Sequence, residues 1–175
     1  MKVAIVNPPY PLEEAPSPPL GVCYVAAACE RAGCEVRIFD YLVRQYTPEK
    51  LRAEMDAFAP DVIGATAVTM NFKGAARIIQ DAKRHNPDVI TMMGGPHVSF
   101  DAENTLRTYP ELDLIVVGEG EQTLAELMPV ILDRSAWASV KGLAYRANGA
   151  CTFTGTRDFI EDLDTLPVPA RHLLP

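Results

Sequence analysis

Five short, continuously apolar runs, each followed by a stretch of helical character, set the order of elements along this chain. Residues 2–6 form the first run, and residues 20–32 are rich in helix-forming alanine and stop at Gly33, a natural residue just past a helix end. Residues 35–40 predict a second strand. Thr47, Pro48 and Glu49 then open a helix, with the threonine as cap and the proline at the first helical position. Residues 61–67 predict the third strand and residues 71–85 the helix after it. A fourth strand over 88–93 leads to a short helix near 101–108, and a fifth over 113–117 leads to a helix over 121–132. Strands this short and apolar throughout, each with a helix behind it, belong to a parallel sheet covered on both faces. Right-handed crossovers restrict the topology, and 2-1-3-4-5 is the expected strand order.

After residue 135 the pattern changes. Residues 140–146 and 150–154 flank Ala147, Asn148 and Gly149, and Asn-Gly between two strand-like runs signals a hairpin. Residues 158–175 carry Pro167, Pro169 and Pro175 with no helical or strand period, and read as an extended strap or linker. The fold expected is therefore α/β: a doubly wound, flavodoxin-like five-stranded parallel sheet with a C-terminal hairpin and an extended tail. Residues 1–135 are expected to form the sheet domain, and 136–175 a hairpin and linker toward a further domain outside this chain.

Composition narrows the function classes. The 175 residues are 48% hydrophobic and 22% charged, the profile of a globular domain with a buried core. A net charge of −7 argues against nucleic acid as a partner, since phosphate binding needs a basic face. No apolar run approaches the roughly 20 residues needed to span a bilayer, and the first apolar run is broken too soon by proline to serve as a signal peptide. A cytoplasmic location is expected, with no membrane partner. The four cysteines, Cys23, Cys29, Cys34 and Cys151, match no zinc or iron–sulfur spacing and read as reduced packing thiols.

In an open parallel sheet, ligands bind beyond the carboxyl ends of the strands, so candidate chemistry sits in four loops. The loop over 7–19 holds six prolines and no phosphate-cradling glycine pattern, which makes it a stiff rim and disfavours nucleotide binding through it. The loop over 66–71 carries Thr66 and Thr69, whose hydroxyls either bond a ligand's polar arm or cap a helix. The loop over 94–100 opens with Gly94, Gly95, Pro96 and His97. Paired glycines after a core strand leave an open floor with no Cβ to block a ligand. His97 is either a donor or metal ligand, or a plain loop histidine. The loop over 118–122 is Gly118, Glu119, Gly120, Glu121 and Gln122; Glu121 complements a helix dipole, while the glycines around Glu119 point to a tight turn or a close ligand.

These residues resemble a known family. Asn7-Pro8-Pro9, the run from Pro18-Pro19-Leu20-Gly21 through Ala27, Gly94-Gly95-Pro96-His97 and Gly118-Glu119-Gly120-Glu121 are similar to cobalamin-binding domains fused to radical-SAM domains. That group contains the oxygen-independent Mg-protoporphyrin monomethyl ester cyclase and the cobalamin-dependent radical-SAM methyltransferases. The tail, from Lys141-Gly142-Leu143 to Asp162-Leu163-Asp164-Thr165-Leu166-Pro167, is similar to the connector into the radical-SAM barrel. The resemblance implies cobalamin across the carboxyl edge of the sheet. Its nucleotide tail would enter near Thr66, Thr69, Met70, Gly94 and Gly95, with Pro96, His97, Gly118, Glu119, Gly120 and Glu121 around it. Asn7, Pro8, Pro9, Tyr10, Leu20 and Gly21 would face the lower side of the ring.

The loop after the first strand lacks the DxHxxG histidine that ligates cobalt in cobalamin mutases, which tells against mutase chemistry; Tyr10 is a candidate for the vacated position. The 175 residues also lack the CxxxCxxC that holds a radical-SAM [4Fe–4S] cluster. The expected role is thus the cobalamin module of a larger radical-SAM enzyme, inactive alone, with SAM, cluster and small-molecule substrate held by another domain of the same polypeptide. A second reading is a domain that kept the fold, lost cobalamin, and serves as a scaffold or substrate-recognition lid. A flavin or receiver domain is disfavoured, since prolines stand where flavin phosphate needs hydroxyls and Ala65-Thr66-Ala67 stands where a receiver needs its aspartate.

Overall fold

The structure is a computed structural model that describes residues 1–11 and 17–175. Part of the stiff loop expected after the first strand, including Pro16, lies outside the described residues.

The five parallel strands form as the apolar runs predict: β1 (Lys2–Asn7), β2 (Glu35–Asp40), β3 (Val62–Thr66), β4 (Ile90–Gly94) and β5 (Leu114–Val116). The sheet has seven strands in the order β2-β1-β3-β4-β5-β6-β7, because the hairpin β6 (Leu143–Ala147) and β7 (Ala150–Phe153) continues it. β6 runs antiparallel to β5, with Leu114 opposite Tyr145 and Val116 opposite Leu143. The five-stranded order 2-1-3-4-5 is therefore present with two strands added at one edge. Asn148 and Gly149 turn the hairpin at φ 52 and 80, the left-handed pair that a two-residue loop requires.

Period-two alternation splits each buried strand between two cores. Val3 and Ile5 face one core with α1 (Leu20–Arg31) and α6 (Gly120–Leu127). Ala4 and Val6 face the other, with α2 (Pro48–Phe58), α3 (Phe72–His85), α4 (Pro96–Phe100) and α5 (Ala102–Thr108). Thr47 caps α2 as its sequence predicts, its Oγ1 accepting the Lys50 N–H at 3.2 Å, with Pro48 in the first turn. The first core extends past α6: Trp137 is 1% exposed there and donates Nε1–H to the Ile131 carbonyl at 2.9 Å.

Two elements differ from expectation. The loop over 94–100 is mostly helix, because Gly95 at φ 101 turns the chain and Pro96 then occupies the first turn of α4. The closing helix ends at Leu127 rather than residue 132, since Pro129 supplies no N–H and the chain tightens into a 3₁₀ turn at Met128–Val130.

The tail straps the two helices of the first face. Arg157 forks onto Glu126 of α6 at 2.9 and 2.6 Å and reaches Thr123 Oγ1 at 3.1 Å. Arg31 of α1 donates to the Thr165 carbonyl at 2.9 Å, and the Ala170 N–H donates to the Cys23 carbonyl at 3.0 Å.

Candidate functional site

A cavity of about 290 Å³ opens at the carboxyl ends of the strands, between the sheet and helices α1 and α6. Its floor is apolar: Ile5 of β1, Gly64 and Ala65 of β3, Met92 and Met93 of β4, and Val116 of β5. Val22 and Val25 of α1 and Leu124 of α6 form the walls. Thr66, Gly94, Gly95, Pro96, Gly118, Glu119, Gly120 and Glu121 form the rim, with Gly21 at the start of α1.

The missing side chains shape this space. At Gly64 a Cβ would lie 2.7 Å from Met92 Cε, so the thioether side chain fills the room that glycine leaves on the floor. At Gly95 a Cβ would lie 2.7 Å from the Ala67 carbonyl oxygen, and the turn packs backbone against backbone. That packing is hydrogen-bonded: Ala67 N–H donates to the Gly94 carbonyl at 2.8 Å, and His97 N–H donates to the Ala67 carbonyl at 3.2 Å. Ser99 of α4 then links the two glycine turns. Its hydroxyl donates to the Gly95 carbonyl at 2.9 Å and accepts the Gly118 N–H at 3.0 Å.

The remaining candidate residues stand outside the cavity. Asn7 is buried and donates from Nδ2 to Asp40 Oδ1 at 2.8 Å, tying β1 to β2. Tyr10 extends its hydroxyl to Met70 Sδ at 3.3 Å, joining the loop after β1 to the loop after β3; Pro8 and Pro9 lead to it. Leu20 is 44% exposed beside Gly21. Thr69 Oγ1 lies 3.2 Å from His97 Nδ1, and the His97 ring lies against Phe72 with centroids 4.0 Å apart. His97, on α4, is thus engaged by Thr69 in the loop after β3 and by Phe72 of α3. Glu119 accepts the Ile160 N–H at 2.8 Å, so it binds the tail as well as lining the rim.

The floor residues Gly64, Met92 and Val116, and the linking Ser99, escaped the sequence reading. A glycine inside an apolar strand was the available signal for Gly64, since it marks a close approach. Cys23 and Cys29 pack in α1 on the cavity's face, and burial pushes the Cys29 thiol up to about 12, so these thiols stay protonated. Among the described residues, no group of three His, Cys, Asp or Glu side chains comes together to hold a metal ion.

The family model described as "B12 binding domain" matches residues 14–128, more than half of the sequence. The chain belongs to the B12-binding domain family. It is 35% identical over 182 residues to an uncharacterized methyltransferase of Pyrococcus horikoshii, covering 100% of this chain and 39% of that protein. It is 33% identical over 178 residues to the anaerobic magnesium-protoporphyrin IX monomethyl ester cyclase of Rubrivivax gelatinosus, covering 95% of this chain and 32% of the cyclase. This B12-binding domain therefore spans only 32% to 39% of the length of these relatives. In fold it is similar to the cobalamin-dependent radical enzyme OxsB with aqua-cobalamin and S-adenosylmethionine bound, at a TM-score of 0.82 and 23% identity, over 99% of this chain and 24% of that one. It is likewise similar to the methyltransferase TsrM of Kitasatospora setae with cobalamin and a [4Fe-4S] cluster bound, at 0.77 and 21% identity, over 88% and 30%. Cobalamin is the cofactor of this domain family.

Proposed function

We propose that this chain is the cobalamin-binding part of a larger radical-SAM enzyme of the methyltransferase or cyclase kind, and that it has no activity alone. The observation that carries the reading is the glycine-rimmed cavity between the sheet and helices α1 and α6, most of whose lining lies within the residues that match the B12-binding family. The shorter span of the chain against its relatives supports a second domain in the same polypeptide. That domain would hold the [4Fe–4S] cluster, SAM and a small-molecule substrate, because this sequence has no CxxxCxxC. Neither nucleic acid nor membrane is a proposed partner: the net charge is −7, and among the described residues no helix is long and apolar enough to cross a membrane. A cytoplasmic location accords with four free thiols.

The residues present fit the cofactor. A corrin macrocycle with a nucleotide tail is larger than the cavity, whose size and apolar floor suit the flat base that ends the tail. Gly94 leaves room for that base, while Thr66 and Glu121 offer polar groups to the arm above it. Gly118, Gly120 and Pro96 shape the mouth, and Ser99 fixes the distance between its two glycine turns. The rim from Asn7 to Tyr10, Leu20, and the Tyr10–Met70 contact would lie under the ring, where the chain supplies no histidine. Bound there, cobalamin supplies methyl-transfer or radical chemistry, and the protein supplies placement and exclusion of water.

The test is a visible absorption titration of the purified chain with hydroxocobalamin, followed by desalting. The expected result is a retained cobalamin spectrum. Gly94→Val is the matched variant: its Cβ meets only Val116, at 3.8 and 3.9 Å, so the fold is retained while the added methyls enter the cavity. Retention by Gly94→Val equal to the wild type would remove the cavity from the reading, and a colourless wild type would remove cobalamin.

A further inference from the structure

The two most exposed phenylalanines among the described residues are Phe100 and Phe159, at 93% and 85%. They lie far apart in sequence, yet each is the chain neighbour of a residue hydrogen-bonded to the same turn at the mouth of the cavity. Phe100 follows Ser99, whose hydroxyl accepts the Gly118 N–H at 3.0 Å. Phe159 precedes Ile160, whose N–H donates to Glu119 at 2.8 Å. Gly118 and Glu119 are consecutive rim residues. The backbones beside both rings are therefore held against one turn, one from the α4 side of the sheet and one from the α6 side. Arg157, forked onto Glu126, fixes the tail on the other side of Phe159.

Single exposed apolar rings are common on protein surfaces, but two whose backbones are tied to one turn at a cavity mouth offer apolar area to whatever stands above that mouth. The cavity admits only one arm of cobalamin, so the macrocycle with its apolar methyl-bearing edge must stand outside the mouth, beside the turn to which both backbones are tied. We propose that Phe100 and Phe159 form an aromatic clamp that closes on the part of cobalamin outside the cavity. This rests on the cobalamin reading above and adds binding residues that the sequence motifs do not contain. The clamp also gives the Glu119–Ile160 bond a purpose: it brings a tail residue to a site built otherwise from the sheet's own loops.

The experiment measures the dissociation constant for hydroxocobalamin in the 175-residue chain. Phe100→Ala and Phe159→Ala are each expected to weaken binding about fivefold, on the scale of one aromatic contact. Phe153→Ala and Val168→Ala, at residues 47% and 87% exposed, serve as controls with unchanged affinity. Hydrogen exchange at residues 99–101 and 158–161 is expected to slow on loading. If the wild type binds and both phenylalanine variants bind equally well, the clamp is overturned and the cobalamin reading stands. A wild type that binds nothing overturns both. Variants that dissociate a dimer while keeping full affinity assign the rings to contact between copies, and also overturn the clamp.

Discussion

Gly95 and Gly118 both take positive φ at the cavity rim, at 101 and 79, yet they serve different ends. A Cβ on Gly95 would strike the Ala67 backbone at 2.7 Å, while one on Gly118 would meet nothing within 4 Å. Gly118→Ala is therefore expected to cost only the left-handed backbone penalty, about 1 kcal/mol, and Gly95→Ala about 3 kcal/mol as the turn is forced apart. Urea unfolding midpoints at pH 7 separate the two. A comparable loss in both variants would show that the backbone approach at Gly95 is not tight. Asp113 supplies a second residue-level case. Burial pushes its carboxyl up, but hydrogen bonds from Lys83, the Thr91 N–H and Arg134 outweigh burial and hold it below the usual carboxylate range. A carboxyl lowered in the folded state stabilises above its unfolded value of about 3.9 and loses that contribution as pH falls through its folded value. Asp113→Asn is expected to lower stability by about 2 kcal/mol at pH 7, since it removes the countercharge of the largely buried Lys83 and leaves its ammonium only neutral acceptors such as the Val89 carbonyl. The variant should also show a shallower loss of stability below about pH 4, read by denaturant titration across pH.

Between elements, the arrangement depends on groups that no hydrophobic pattern announces. The parallel strands were legible because the four inside the sheet are mostly apolar and the edge strand β2 still carries Val36, Ile38 and Phe39, and α2 because Thr47 and Pro48 mark its start. α4 was not, because Gly94-Gly95-Pro96 reads as a loop until one knows that Gly95 turns at positive φ and leaves Pro96 helical. The cavity rim was visible as glycines in loops; its floor was not, since Met92 and Val116 read only as core. The hairpin was visible at Asn148-Gly149, but its seat beside β5 was not, as local pattern says nothing of which edge a strand joins. That seat is secured by Arg146 on β6, whose guanidinium donates to the carbonyls of Leu106 at 2.6 Å, Pro110 at 2.8 Å and Leu112, gathering the end of α5 and the turn after it. Arg146→Ala leaves these acceptors without their donor and should cost about 2 kcal/mol. Arg146→Lys should restore little, since one ammonium cannot reproduce the planar fork. Faster hydrogen exchange confined to α5 and β6 is the expected signature.

At the level of the whole molecule, the hairpin and tail share a core with the first strand. Trp137, Val140, Leu143, Tyr145 and Ala170 are buried with Val3 and Ile5. A chain ending at residue 139 would lose β6, β7 and the tail, uncovering several large apolar side chains at about 1.5–3 kcal/mol each. That sum rivals the whole stability of an ordinary domain. The shortened chain is expected to show no cooperative thermal transition by circular dichroism, and a sharp transition near that of the full chain would show that residues 1–139 are self-sufficient.

The strap that joins α6 through Arg157 and α1 through Ala170 also bears on time. The two helices wall the same cleft, and the strap ties both of them, so any loosening of those walls around a lodged molecule also works against the strap. How long a bound cobalamin stays is then expected to depend in part on the bonds of this strap, which lie outside the cavity lining. Arg157→Ala should shorten that residence about tenfold with little change in the association rate, the usual division when contacts are loosened. In stopped-flow exchange against an excess of a competing corrinoid, the loss would appear wholly in the rate of departure.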